Sequence, residues 1–181
     1  MECIQIKLTE NPEPFKEKIR EMLREYDKEF VPPLSTRKGT GQIKDLENQE
    51  KSHQGIQKYY QDVLTQDHIL ATKNEKLVGF LTFIHGFEHK KIENYNPANY
   101  VSTILVEKEY RKKGVASKLY DKLLHGLPEE KKLENITART WSGNKPHQNL
   151  LEKLGFERIH TIKNDRGNGI HTIYYGKKSE L

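Results

Sequence analysis

Residues 100–124, YVSTILVEKEYRKKGVASKLYDKLL, change period part-way along their length. From Tyr100 to Val106 the run is β-branched and apolar, as in a buried strand. Beyond Arg111, apolar residues recur at Val115, Ala116, Leu119, Tyr120, Leu123, Leu124 and Leu127, the spacing of one helical face. Arg111, Lys112, Lys113 and Gly114 lie between, three cations and a glycine at the point where the helix opens. The first N–H groups of a helix have no partner within it and carry the positive end of its dipole. Glycine there lets an anion come up to the backbone, so Arg111, Lys112, Lys113, Gly114, Val115 and Ala116 read as an anion site, most naturally for phosphate. The alternative for such a string in a lysine-rich chain is a solvated basic turn.

Strand, then R/Q-x-x-G-x-G/A, then helix resembles the signature with which the GNAT superfamily of N-acetyltransferases holds the pyrophosphate of acetyl-CoA. Residues 144–156, NKPHQNLLEKLGF, are similar to that family's N-x-x-A-x-x-L-Y-E-K-x-G-F, with Asn144, Leu150, Glu152, Lys153, Gly155 and Phe156 in place. His147 stands where the family has alanine, and Leu151 where it has tyrosine. The resemblance implies an α/β fold with a mixed, mostly antiparallel central sheet of about seven strands flanked by four helices. It also implies acetyl-CoA as co-substrate, no metal, and direct transfer of acetyl to a primary amine on a small molecule or peptide. By the same resemblance Ile104, Leu105 and Val106 pair with the pantetheine arm, and Asn144 contacts that arm as well as capping its helix.

At 181 residues without a Pro/Gly/Ser-rich linker or repeat, the chain reads as one domain over residues 1–181. Charged residues make up 31% and the mean hydropathy is −0.90, yet ordered apolar periods argue against disorder. Cys3 is the only cysteine, and neither a secretory leader nor a membrane-spanning run is apparent, which fits a reducing cytoplasm and no membrane partner. The net charge of +5 suits acidic ligands. Acids and bases are interleaved, as at residues 107–113, so no nucleic-acid partner is expected. A homodimer is left open.

Along the chain, Ile4, Ile6 and Leu8 alternate as in an edge strand, and Asn11-Pro12 reads as a cap with proline in the first turn. Phe15, Ile19, Met22, Leu23, Tyr26 and Phe30 share one face of the helix that follows, with Pro32-Pro33 as its stop. Residues 31–42 form a punctuated loop that by the resemblance lines the acceptor pocket, together with loops 86–99 and 164–169; the alternative for it is a mobile surface loop. Ile56, Tyr59, Tyr60, Val63 and Leu64 mark a second helix, residues 69–71 and 77–84 a hairpin, and residues 133–141 another strand. Gly155 fits the position just past a helix end, and residues 165–169, DRGNG, join the last two strands. His85, Glu88 and His89 follow a strand, where no helical face unites them, so no metal site is assigned.

Acetyl transfer from a thioester needs a deprotonated amine, a stabilised carbonyl oxygen and a proton for the departing thiolate. Some histone-acetylating relatives carry glutamate at the start of the central strand, where this chain has Tyr100, a poor base at neutral pH. Glu107 and Glu109 read as exposed partners of nearby lysines. With leucine at 151, the remaining acid candidates are His147, Tyr174 and Tyr175, and solvent is expected to serve, because CoA thiol leaves readily. An inactive CoA-binding or regulatory module on the same fold is the alternative, separated from the enzyme by thiol release.

Overall fold

The computed structural model describes residues 3–37, 39–40 and 55–179. Their elements run β1 (Gln5–Thr9), α1 (Lys16–Glu25), α2 (Gly55–Leu64), β2 (Asp67–Lys73), β3 (Lys76–Phe87), β4 (Ala98–Val106), α3 (Val115–His125), β5 (Asn135–Trp141), α4 (Lys145–Lys153), β6 (Glu157–Ile162) and β7 (Thr172–Lys178). The strands form one seven-stranded sheet in the order β1-β2-β3-β4-β5-β7-β6. Only β4 and β5 run parallel; every other neighbouring pair is antiparallel. This is the expected mixed sheet with its four helices.

The pleat sends alternate residues to opposite faces. One face carries Leu81, Val101, Val106, Ile136, Ala138, Ile173 and Tyr175, which pack with Val115, Leu119, Tyr120 and Leu123 of α3 and Leu151 of α4. The other carries Leu70, Leu77, Phe80 and Leu105 under Ile19, Met22 and Leu23 of α1 and Tyr59, Tyr60 and Val63 of α2. Burying each large aliphatic side chain of this kind contributes about 1.5–3 kcal/mol before entropy is charged against it.

The sheet splays in the middle. Residues 98–101 of β4 pair with residues 135–138 of β5, and the two strands part beyond Val101 and Ala138. On its other side β4 stays paired with β3, where Thr82 faces Thr103 and Phe83 faces Val101, so Ser102 is an extra residue in β4. A bulge of this kind bends its strand and increases the local twist. The bulged Ser102 is held by its Oγ, which pairs with Thr82 Oγ1 at 2.8 Å and donates to Gln66 Oε1.

Two boundaries differ from the sequence reading. Asn11 does not cap α1, which begins at Lys16 after Phe15. Pro14 is the reason, since a proline there has no N–H and disfavours helical geometry in the residue before it. Nor do Pro32-Pro33 end α1; it stops at Glu25, and a short 3₁₀ turn, Asp27–Glu29, leads on. Helix α4 ends as read. Gly155 has φ +80°, its N–H donates to Glu152 O at 3.0 Å, and Phe156 N–H reaches Leu151 O at 3.0 Å, the two bonds of a Schellman close.

Candidate active site

Beyond the splay, the edge of β4 that carries Ile104, Leu105 and Val106 lacks a strand neighbour on the β5 side among the described residues. This edge runs into a turn whose geometry is set by two left-handed residues, Lys112 at φ +59° and Gly114 at φ +79°. Gly114 is the N-cap of α3, and no side chain caps that helix. A Cβ built on Gly114 would meet nothing within 4 Å, so the space beside this residue, where α3 begins with its first N–H groups unpaired, is open.

The cations of the turn are not equivalent. Arg111 is committed: its Nε donates to Val106 O at 2.9 Å, its Nη1 pairs with Glu29 at 2.9 Å, and its guanidinium lies 4.8 Å from the centre of the Tyr26 ring. It therefore ties the turn to β4 and to the end of α1. Lys113 lies over the Tyr110 ring at 5.6 Å, while Lys112 has no ionic partner among the described residues and is exposed. Lys112 and Lys113, not Arg111, are the cations left for an anion.

Glu107 is not the exposed lysine partner that the sequence suggested. It is half-buried, accepts from Tyr26 Oη, and pairs with Lys18 at 2.7 Å. Burial pushes its carboxyl up, but the bonds from Lys18 and Tyr26 outweigh that and hold it below its ordinary value. Tyr26 is pushed up to about 12, by burial first and then by Glu107. Glu109 is exposed.

On the α1/α2 face, alternation brings together residues distant in sequence. Tyr100 of β4 is fully buried, its Oη has no hydrogen-bond partner among the described residues, and burial pushes it up to about 12. Arg139 and Tyr174 face each other across β5 and β7, and the Tyr174 hydroxyl hydrogen-bonds the Arg139 side chain. The Arg139 guanidinium lies 5.9 Å from the Tyr100 ring centre. His89 packs edge-on to Tyr100 and Tyr174 and shares a 2.8 Å hydrogen bond with Thr137 Oγ1. Burial, then Arg139, lowers His89 to about 4, so it is neutral at pH 7. Tyr59 of α2 closes the group from above through a 2.8 Å bond to Thr103. Arg37, His89 and Arg166 fall in the three loops that the resemblance assigned to the acceptor, although none of them was singled out there, and Arg139 was not singled out at all. The one available signal was an arginine in the otherwise uncharged strand residues 135–141.

His85 and His89 turn to different partners, Asn99 Oδ1 and Thr137 Oγ1. Of the punctuated loop, Lys38, Gly41 and Gln42 lie outside the described residues. The rest is pinned: Leu34 is buried, Ser35 N and Oγ donate to Asp27 at 2.7 and 2.8 Å, and Thr40 N donates to Asp62 at 3.1 Å.

His147 and Leu151 sit with α3 on the opposite face. Leu151 is fully buried among Phe156, Ile173 and Tyr175, which makes this helix position a core position in this chain. Asn144 Oδ1 accepts from His147 N at 3.3 Å, a helix cap. The His147 ring bonds Tyr120 Oη at 2.9 Å, and burial lowers the imidazole to about 4. Tyr120 is fully buried, and burial first, then Tyr100, raises its phenol. A neutral imidazole is not a general acid at pH 7; its evident work is to satisfy a buried hydroxyl. We expect His147→Ala to cost about 1–3 kcal/mol by stranding that hydroxyl, with turnover changed by less than about tenfold. Thermal melts beside initial rates check this, and a hundredfold rate loss at unchanged stability would reinstate His147 as the acid.

A family model described as the acetyltransferase (GNAT) family matches residues 18–156. The fold is shared with an N-acetyltransferase from Staphylococcus aureus Mu50, 18% identical, with a TM-score of 0.66 over 97% of this chain and 98% of that one. It is shared too with NAA60 of Arabidopsis thaliana, solved with a bisubstrate analogue, at 13% identity and TM-score 0.68 over 97% and 99% of the two chains. A GNAT-family acetyltransferase from Bacillus cereus ATCC 10987 gives 17% identity and TM-score 0.62 over 98% and 99%. No curated protein matches the chain in sequence. The family match spans most of the chain, from α1 to the residue that closes α4, and the protein accordingly belongs to the GNAT family of acetyltransferases.

Proposed function

We propose that this protein moves an acetyl group from acetyl-CoA directly to a primary amine, and that the reaction takes place at the β4–β5 splay. The observation that carries the reading is the continuity of an unpartnered β4 edge with an uncapped, glycine-opened helix. An extended amide-bearing arm can add to such an edge as a strand would, and phosphate fits the free N–H groups at its end. Acetyl-CoA supplies the activated thioester. Ile104, Leu105 and Val106 line the edge; Lys112, Lys113, Gly114, Val115 and Ala116 take the anionic end; Arg111 holds the turn in place. An N–H of the β4 edge is placed to donate to the carbonyl oxygen as it gains charge.

Neither Tyr100, at about 12, nor Glu107, tied to Lys18 and Tyr26, is set up as a base, so the amine loses its proton to water or arrives neutral. The leaving thiolate is good enough to take a proton from solvent. A reducing cytoplasm is the proposed location, motivated by a lone, exposed Cys3. No helix among the described residues is long and apolar enough to cross a membrane.

Calorimetry with acetyl-CoA, followed by thiol release against a panel of primary amines, tests the proposal. Binding without release from any amine would turn the assignment toward the inactive CoA-binding module, the reading favoured by a leucine at position 151. Asn144→Asp tests the cap separately. It retains a capping oxygen for His147 N but loses the amide donor, so stability should hold within about 0.5 kcal/mol while turnover falls. A lower melting temperature with unchanged turnover would leave Asn144 as a cap alone.

A further inference from the structure

Two arginines from opposite sides of the splay converge on consecutive carbonyls of the loop after α1. Arg37 Nε donates to Pro32 O at 3.0 Å, and Arg166, from the β6–β7 turn, donates through Nη1 to Val31 O at 2.6 Å and through Nε to Thr172 Oγ1 at 2.8 Å. Both Nη groups of Arg37 and the Nη2 of Arg166 are left without a hydrogen-bond partner among the described residues, and the Arg37 guanidinium lies over the Phe30 ring at 5.5 Å. Arg37 is only 6% exposed, yet neither it nor Arg166 has a carboxylate within 4 Å among those residues. The nearest acids already have partners: Asp27 accepts from Ser35, and Asp165 accepts from Thr172 at 2.6 Å. Arg139, bonded to Tyr174, adds a third cation to the group, and the fully buried Tyr100, whose Oη has no hydrogen-bond partner among the described residues, has its ring centre 5.9 Å from the Arg139 guanidinium.

Gathering cations in this way is unfavourable unless something compensates them. Burial lowers Arg37 to about 10 with a further push from Arg139, and lowers Arg166 to about 9 with further pushes from Arg37 and Arg139. Guanidinium forks fit planar or tetrahedral anionic oxygens in two-point contact, and a tyrosine hydroxyl can complete such a set. A polyamine or aminoglycoside would instead bring positive charge to positive charge.

Resting on the acetyl-transfer reading above, we propose that the acceptor is a small amine that also carries an anionic oxygen group, a carboxylate or a phosphate, held by Arg37 and Arg166 with Tyr100 Oη beside them. The pairs to compare are β-alanine with β-alaninamide and O-phosphoethanolamine with ethanolamine, with spermidine as the cationic extreme. In at least one pair the anionic member should show a kcat/KM higher by about 10²-fold, mostly through KM, and the pair that shows it names carboxylate or phosphate. In Arg37→Gln and in Arg166→Gln that ratio should shrink to under about tenfold, with Arg166→Lys in between, while calorimetric acetyl-CoA affinity certifies the fold. If neutral amines or spermidine are acetylated as well as the anionic members, or if both glutamine variants keep the parent ratio, the inference is wrong and acetyl transfer stands. If no amine releases thiol, the transfer reading fails instead. Calorimetry of β-alanine and O-phosphoethanolamine with the CoA-saturated protein then decides the arginines: binding that both glutamine variants lose supports them, and no binding overturns them.

Discussion

Gly114→Ala should bind acetyl-CoA at least about 100-fold more weakly than the parent chain while losing no more than about 1–2 kcal/mol of stability. The two numbers have separate origins. The backbone at Gly114 is left-handed, φ +79°, which a residue with a Cβ adopts at a cost of about 1–2 kcal/mol. The methyl itself meets no protein atom within 4 Å, so nothing in the core has to move. It projects instead into the open space before the free N–H groups of α3, where a phosphate would sit. Losing two hydrogen bonds to a charged group, each worth about 1.5–3 kcal/mol, corresponds to more than ~10²-fold in affinity. Gly114→Val would lose binding too, but a β-branched residue in a left-handed position would unsettle the turn more, which makes alanine the cleaner test. Calorimetry beside a thermal melt reads both quantities. An alanine variant that binds as tightly as the parent would remove the turn from the cofactor site.

The second large effect is expected in acid. His68 and His89 are buried, and burial lowers each from 6.5 to about 4. The folded protein therefore binds these protons less readily than the unfolded chain. Their contribution to stability is full above pH 6.5 and is lost as pH falls from 6.5 toward about 4. A shift of that size is worth about 3 kcal/mol per histidine, and the pair would remove much of the roughly 5–15 kcal/mol that holds a typical domain together. His147, lowered by burial to about 4, adds in the same direction. Glu107, held below its ordinary value, contributes stability that is lost only further into acid. Denaturant midpoints measured across the window should fall steeply, and His68→Phe, which replaces a fully buried imidazole by an apolar ring, should flatten the fall. A parent protein equally stable at both ends of the window would contradict the burial argument.

The periodicities that decided the fold are local, and local signals were enough. The change from strand to helix across Gly114, the glycine close after α4 and the turn-rich residues 165–169 each depend on neighbours within one or two turns. The start of α1 was misread because Asn11-Pro12 offers a good cap, and the stronger veto of Pro14 lies two residues later. The glycine-opened turn follows one contiguous stretch and was legible in outline, whereas the bonds that tie Arg111 to Val106 O and Glu29 were not. The arginine group was legible only as loops, without its residues. Arg37, Arg139 and Arg166 lie in a loop, a strand and a turn, and only the sheet order, which sets β5 beside β7, brings the second and third together. Tyr120 read as one more apolar residue of the α3 stripe, and its hydroxyl found a partner in His147 on another helix.

The sheet order also bears on how the chain is made. Thr172–Lys178 comes last of the strands in sequence but is inserted between Asn135–Trp141 and Glu157–Ile162. Until that segment leaves the ribosome, the strand carrying Arg139 has its outer backbone groups unpaired, and the strand at residues 157–162 has no neighbour at all. An emerging chain therefore presents a bare, apolar edge for the whole time taken to translate residues 142–171, an interval in which pairing with another nascent copy competes with completion. Shortening the protein from its carboxyl end should accordingly produce insoluble material as soon as Tyr174 and Tyr175 are lost, well before any part of the cofactor turn is touched.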